Sequence, residues 1–126
     1  MAYSFNMAKD PLNVAEQQYA TAEEIRFTMF TSCIGLIARN NAVVTGVHLV
    51  MLSEDDTPFD NNAAQAAVDL LGEYQEVVVI GQANMWQHNL SAPYDHLIGL
   101  LENPTIRDLN DGVYGGRVSG DQLQIF

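Results

Sequence analysis

The sequence predicts an α+β fold, a mixed and mostly antiparallel sheet layered with two helices. Three observations carry this expectation. Tracts with strand periodicity outnumber tracts with helical spacing, and several of them meet across short turns containing Asn or Gly. One run, Glu76-Val77-Val78-Val79-Ile80-Gly81, is β-branched and continuously apolar, the pattern of a central strand covered on both faces. Hairpins that outnumber crossovers favour antiparallel pairing.

The elements are expected in this order. Met1 to Ala22 is mixed and polar, with Asp10-Pro11 as a turn or cap and Val14 to Tyr19 as a short helical turn, and reads as an N-terminal arm. Residues 23–126 form the single domain. Glu24 to Phe30 alternates polar and apolar side chains, as a half-buried strand does. Cys33 to Ala38 and Ala42 to Leu52 flank Arg39-Asn40-Asn41, and Asn40-Asn41 reads as a tight hairpin turn because asparagine tolerates positive φ. Ser53 to Asn62 is an acidic loop that ends in a cap at Asp60 or Asn61. The spacing of Ala63, Ala64, Ala67, Val68, Leu70 and Leu71 puts one apolar stripe on a helix that stops near Gly72. A loop over Asn84 to Ser91 precedes a second helix from Pro93 through Leu101, ended by Asn103-Pro104. Gly112 to Val118 and Asp121 to Phe126 form a closing hairpin about Ser119-Gly120.

Composition bounds the function. With 126 residues and 48% hydrophobic content, the chain holds one core and one domain. Sixteen acidic residues against five basic ones give a formal charge of −11, so phosphate backbones and anionic membranes are poor partners. A lone cysteine excludes an intramolecular disulfide and a cysteine zinc cluster. No apolar run approaches the ~20 residues of a bilayer span, and no basic-then-apolar leader is visible, so a soluble protein is expected. Whether it works in the cytoplasm or is delivered into another cell is open.

The chemistry centres on Cys33. It opens a strand after Thr31-Ser32, where unpaired backbone N–H groups lower a thiol pKa and hold an oxyanion. A turn centred on Asn40-Asn41 places His48 directly opposite Cys33 across the hairpin, so the imidazole reaches the thiol. A Cys–His pair supplies a nucleophile and a proton shuttle. The plainer alternative is a structural cysteine beside a buried histidine.

Thr31-Ser32-Cys33 leading an apolar strand, then Gly46-Val47-His48 with the tail Leu49-Val50-Met51-Leu52, resembles the catalytic segment of the CheD chemoreceptor glutamine deamidases. The spacing from Cys33 to His48 is also similar to that in the deamidase domain of cytotoxic necrotizing factor toxins. The likeness runs in order of elements from Glu24 to Phe126, through the Asn62 to Leu71 helix and the strand and turn Val77 to Ala83. It departs at Thr31, where CheD proteins usually carry glycine, and at Phe27, where they carry threonine. The resemblance implies a protein-glutamine deamidase acting on a target protein that bears a reactive glutamine. Cys33 would be the nucleophile and His48 the general base and acid, with Thr28, Thr31 or Gln82 orienting His48. Another Cys–His amidase or peptidase, or a non-catalytic protein-binding module on the same fold, are the alternatives.

No cofactor and no metal site are expected from the remaining residues. His88, Asp95 and His96 fit no familiar ligand spacing, and Glu54-Asp55-Asp56 lacks the alternating oxygens and glycine of an EF-hand loop. Met85 and Trp86 read as a core edge rather than a substrate rim. Gly115-Gly116-Arg117 is too short for a phosphate loop and reads as a bulge or turn.

Overall fold

The computed structural model describes residues 3–126 and is an α+β fold with a mixed sheet. Its strands are β1 (Asn6–Met7), β2 (Gln18–Ala22), β3 (Glu24–Arg26), β4 (Ile34–Asn40), β5 (Val43–Leu49), β6 (Glu76–Gly81), β7 (Thr105–Asp108), β8 (Gly115–Ser119) and β9 (Gln122–Ile125). Its helices are α1 (Asn61–Leu71), α2 (Ala83–Asn89) and α3 (Ser91–Leu100). Six strands form one sheet in the order β1-β2-β5-β4-β6-β7, and β3-β8-β9 form a second. Only the outer pairs β1-β2 and β6-β7 are parallel. No helix among the described residues is long and apolar enough to cross a membrane.

β4 and β5 form the centre of the large sheet because their side chains are apolar on both faces, and nearly every residue of either strand is buried. Along them the faces alternate. Gly35, Ile37, Gly46 and His48 share one face, where Ile25, Phe27 and Phe30 and the small sheet pack. Ile34, Leu36, Val47 and Leu49 share the other, on which α1 and the remaining helices lie. The two glycines admit the aromatic layer: a Cβ on Gly35 would stand 2.8 Å from ring carbons of both Phe27 and Phe30.

Several expectations are corrected. The segment read as an arm supplies β1 and β2, and Val14 is fully buried in a bridge with Phe27 rather than starting a helical turn. Residues 83–100 form two helices instead of a loop and one helix, so three helices cover the sheet. The strand expected over Glu24 to Phe30 ends at Arg26. The edge strand β7 is exposed along its whole length, which explains why Thr-Ile-Arg-Asp carries no strand periodicity. Gly115 and Gly116 are not a turn. They lie within β8, where a Cβ would meet the Ile25 carbonyl at 2.5 Å or Ile37 at 2.9 Å.

The main hairpin turns one residue later than expected. Asn41, at φ 55°, and Ala42 form the turn, and Gly35, not Cys33, is the partner of His48. A turn displaced by one residue moves cross-strand partners by two, which preserves the face. Cys33 and His48 thus remain on the same side of the sheet as diagonal neighbours.

Candidate functional site

The site lies where three segments converge. Cys33 enters β4 through a sharp turn in which Ser32 adopts a left-handed conformation, φ 60°. Ser32 is pinned on both sides: its N–H donates to Asp111 Oδ1 at 2.8 Å, and its carbonyl accepts from Trp86 Nε1 at 3.0 Å. Trp86 is fully buried against Phe59, so it is a core residue as expected, and its indole N–H also fixes the residue before the thiol. Behind the thiol, the Cys33 carbonyl accepts from the Gln82 N–H at 3.0 Å.

His48 comes from β5 and is wholly inaccessible, with Phe27 and Phe30 rings at 5.4 and 4.8 Å. Its Nδ1 stands 3.0 Å from the Val14 carbonyl. A carbonyl only accepts, so Nδ1 carries the proton and Nε2 presents a lone pair. That Nε2 is buried and without a hydrogen-bond partner among the described residues. Such an orphan acceptor forfeits about 1–3 kcal/mol of solvation, which most protein interiors avoid.

The third segment is the one that carries Val14 and Glu16. The Val14 carbonyl also accepts from the Thr28 N–H, and the Gln17 N–H donates to the His48 carbonyl at 2.9 Å, so residues 14–17 are clamped over the histidine. Gln17 turns the chain at φ 62°. This delivers Glu16, whose Oε2 lies 3.5 Å from Cys33 Sγ. The thiol has a second acceptor in the Thr31 carbonyl at 3.3 Å, and its single proton can serve only one of them at a time. One donor atom from each of Glu16, Cys33 and His48 lies within 4.8 Å of the other two.

The residues named for orienting His48 are near the site but act otherwise. Thr28 contributes a backbone N–H to the same Val14 carbonyl, Thr31 contributes a carbonyl to the thiol, and the Gln82 side chain bonds to Asp111. The group that holds His48 is the Val14 carbonyl. Sequence reading misses it because a main-chain acceptor has no residue signature, and misses Glu16 because that carboxylate belongs to a segment read as an arm.

Burial sets the electrostatics. Desolvation pushes the Cys33 thiol up to about 12 from an ordinary 9.0, the Thr31 carbonyl opposes this, and the Glu16 carboxylate adds to the rise. Desolvation lowers His48 below its ordinary 6.5, against the opposing effects of the Val14 carbonyl and Glu16. At neutral pH the pair is therefore a thiol beside a neutral imidazole, not a thiolate–imidazolium ion pair.

Glu16 is the exposed member of the trio, and its carboxylate reaches the buried Cys33 sulfur. Against its outer side lies a cavity of about 380 Å³ lined by Ser4, Asn6, Gln17, Ser53, Glu54 and Asp55 among others. Removing its charge should lower the thiol pKa: in Glu16→Gln, iodoacetamide labelling of Cys33 at pH 9 is expected to rise by up to about tenfold, the effect of one pKa unit on thiolate population. Labelling that slows or stays constant would show that Glu16 does not hold the thiol protonated. His88 and His96 are both exposed.

Comparison with known protein families and with curated proteins found no match to this chain.

Proposed function

We propose that the chain is a Cys–His amidohydrolase that converts a target-protein glutamine to glutamate. One observation carries the reading: His48 has one ring nitrogen fixed by Val14 and the other, unpartnered among the described residues, free to receive a proton, in a ring that brings a nitrogen within 4.8 Å of the Cys33 sulfur. A base that is positioned, neutral and unengaged is what a thiol of raised pKa requires. The resemblance of Thr31-Ser32-Cys33 and Gly46-Val47-His48 to the deamidase pattern supports the choice of a carboxamide substrate.

The reaction then runs in general-base form. Cys33 Sγ attacks the glutamine Cδ while its proton passes to His48 Nε2, and the carbonyl oxygen takes the electron pair. The C–N bond breaks as Nε2–H protonates the departing nitrogen, releasing ammonia and leaving a thioester. Water, deprotonated by Nε2, attacks the thioester; the C–S bond breaks, and Sγ recovers the proton. Glutamate and the starting thiol remain. The Cys33 backbone N–H, at the entrance to β4, is placed to donate to the oxyanion in this scheme. Glu16 must swing aside to admit the carboxamide, and the acidic cavity beside it favours glutamines carried on basic segments.

A second reading, a protein-binding module without catalysis, is favoured by the protonated resting state of Cys33. Ammonia release from a library of basic glutamine-containing peptides separates the two. Release that disappears in Cys33→Ser and falls by about 10²–10⁴ in His48→Ala is the expected result. No release from the library, or release indifferent to Cys33→Ser, overturns the deamidase reading. Peptide cleavage without ammonia would instead identify a peptidase.

A further inference from the structure

We infer that Glu16, Cys33 and His48 form a binding site for a zinc-class divalent cation, which masks the Cys33 sulfur when bound. Among the described residues these side chains bring a carboxylate oxygen, a sulfur and a ring nitrogen within 4.8 Å of one another. On a tetrahedral ion with bonds of about 2.0–2.3 Å, neighbouring ligand atoms stand roughly 3.3–3.8 Å apart. The Glu16 Oε2 and Cys33 Sγ are already 3.5 Å apart, so only small side-chain rotations are needed to close the set.

The unpartnered His48 Nε2 is the second and independent observation. It is a buried lone pair that nothing among the described residues satisfies, and a cation would satisfy it. The opposite ring nitrogen donates to the Val14 carbonyl, the arrangement by which proteins fix the tautomer and direction of a ligating histidine. The donor types choose the metal. Thiolate and imidazole select zinc-class ions over calcium and magnesium, which require oxygen cages.

Charge balance points the same way. A divalent ion with one thiolate, one carboxylate and a neutral imidazole has no net charge, which limits the cost of burying it beside residues as enclosed as Cys33 and His48. On binding, a metal–sulfur bond forms and the Cys33 proton leaves to the buffer. Glu16 lines the same cavity as Glu54 and Asp55, whose carboxylates raise the local cation concentration. Binding does not depend on the deamidase reading. If Cys33 is a nucleophile, the ion inhibits it, because a bound cation draws electron density from the thiolate and occupies the face of the sulfur that attack requires.

The test uses the intact chain with Co²⁺ and Zn²⁺ as probes and no substrate. Titration with Co²⁺ is expected to give a thiolate-to-metal charge-transfer band that is lost in Cys33→Ser. Zn²⁺ should displace the cobalt, Zn²⁺ binding to the metal-free protein should release one proton, and Glu16→Gln, an exposed substitution that leaves the core intact, should weaken Zn²⁺ binding at least tenfold. Absence of the band in a folded wild-type protein, or Zn²⁺ affinity unchanged in both Cys33→Ser and Glu16→Gln, overturns the inference. Neither result bears on ammonia release, so metal binding and deamidation fail or stand separately.

Discussion

Gly81→Ala should destabilise the protein by on the order of 3–5 kcal/mol, measured by denaturant unfolding at neutral pH. Gly81 ends β6 at φ 109°, a conformation that L side chains rarely adopt. A Cβ there would stand 2.4 Å from the Cys33 carbonyl oxygen and 3.0 Å from the Ile34 Cα, both backbone atoms that cannot swing away. Strain and overlap therefore add, and relief requires β4 to move just where Cys33 enters it. The control is Gly99→Ala, in α3 with no atom near the added methyl. There the gain in helix propensity should stabilise by about 0.5–1 kcal/mol. A Gly81→Ala protein as stable as wild type would show that β4 and β6 are not held at this separation.

The second large effect is an alkaline loss of stability that begins at one thiol. Cys33 titrates near an ordinary 9.0 when unfolded and at about 12 when folded. Between those values the native state retains a proton that the unfolded state has lost, so stability falls as pH rises, by on the order of 4 kcal/mol across the interval. Unfolding free energies at pH 7, 9 and 10.5 in the metal-free protein should show this decline, and Cys33→Ser should remove the part below about pH 10, above which the buried Tyr3 and Tyr94 phenols, also raised from 10.0 by burial, add their own loss. His48 acts at the other end. Its folded pKa lies below 6.5, so on acidification the unfolded state takes up a proton first and stability falls below about pH 6.5. Both groups leave the native state undisturbed between roughly pH 6.5 and 9. An alkaline limb identical in wild type and Cys33→Ser would mean that the thiol is not desolvated.

Local patterning was a sound guide wherever one segment determined its own fate. The Asp60 side chain caps α1 through the Ala63 N–H at 2.8 Å, and β6 spans the apolar run Glu76–Gly81. The closing hairpin, the central pair β4-β5 and the mixed, mostly antiparallel sheet follow from alternation and turn chemistry in the same way. Patterning failed for β1, β2 and β7, edge or near-edge strands whose place is set by neighbours rather than by their own periodicity. It also failed for residues 84–89, where α2 buries Trp86 on one side and leaves Gln87, His88 and Asn89 exposed, so a short polar helix looks like a loop.

By itself the sequence determined the α+β class, the strong central elements and the proximity of Cys33 to His48. That proximity survived a displaced turn because side chains alternate with a period of two along a strand, and a shift of two leaves the face unchanged. Only the tertiary structure decided what surrounds the pair. The Val14 carbonyl on His48, the Glu16 carboxylate on Cys33 and the Phe27 and Phe30 rings that dry the site arrive from segments distant in sequence. Their effect is collective: burial raises one pKa and lowers the other, a property of the assembled dielectric that no spacing of residues encodes.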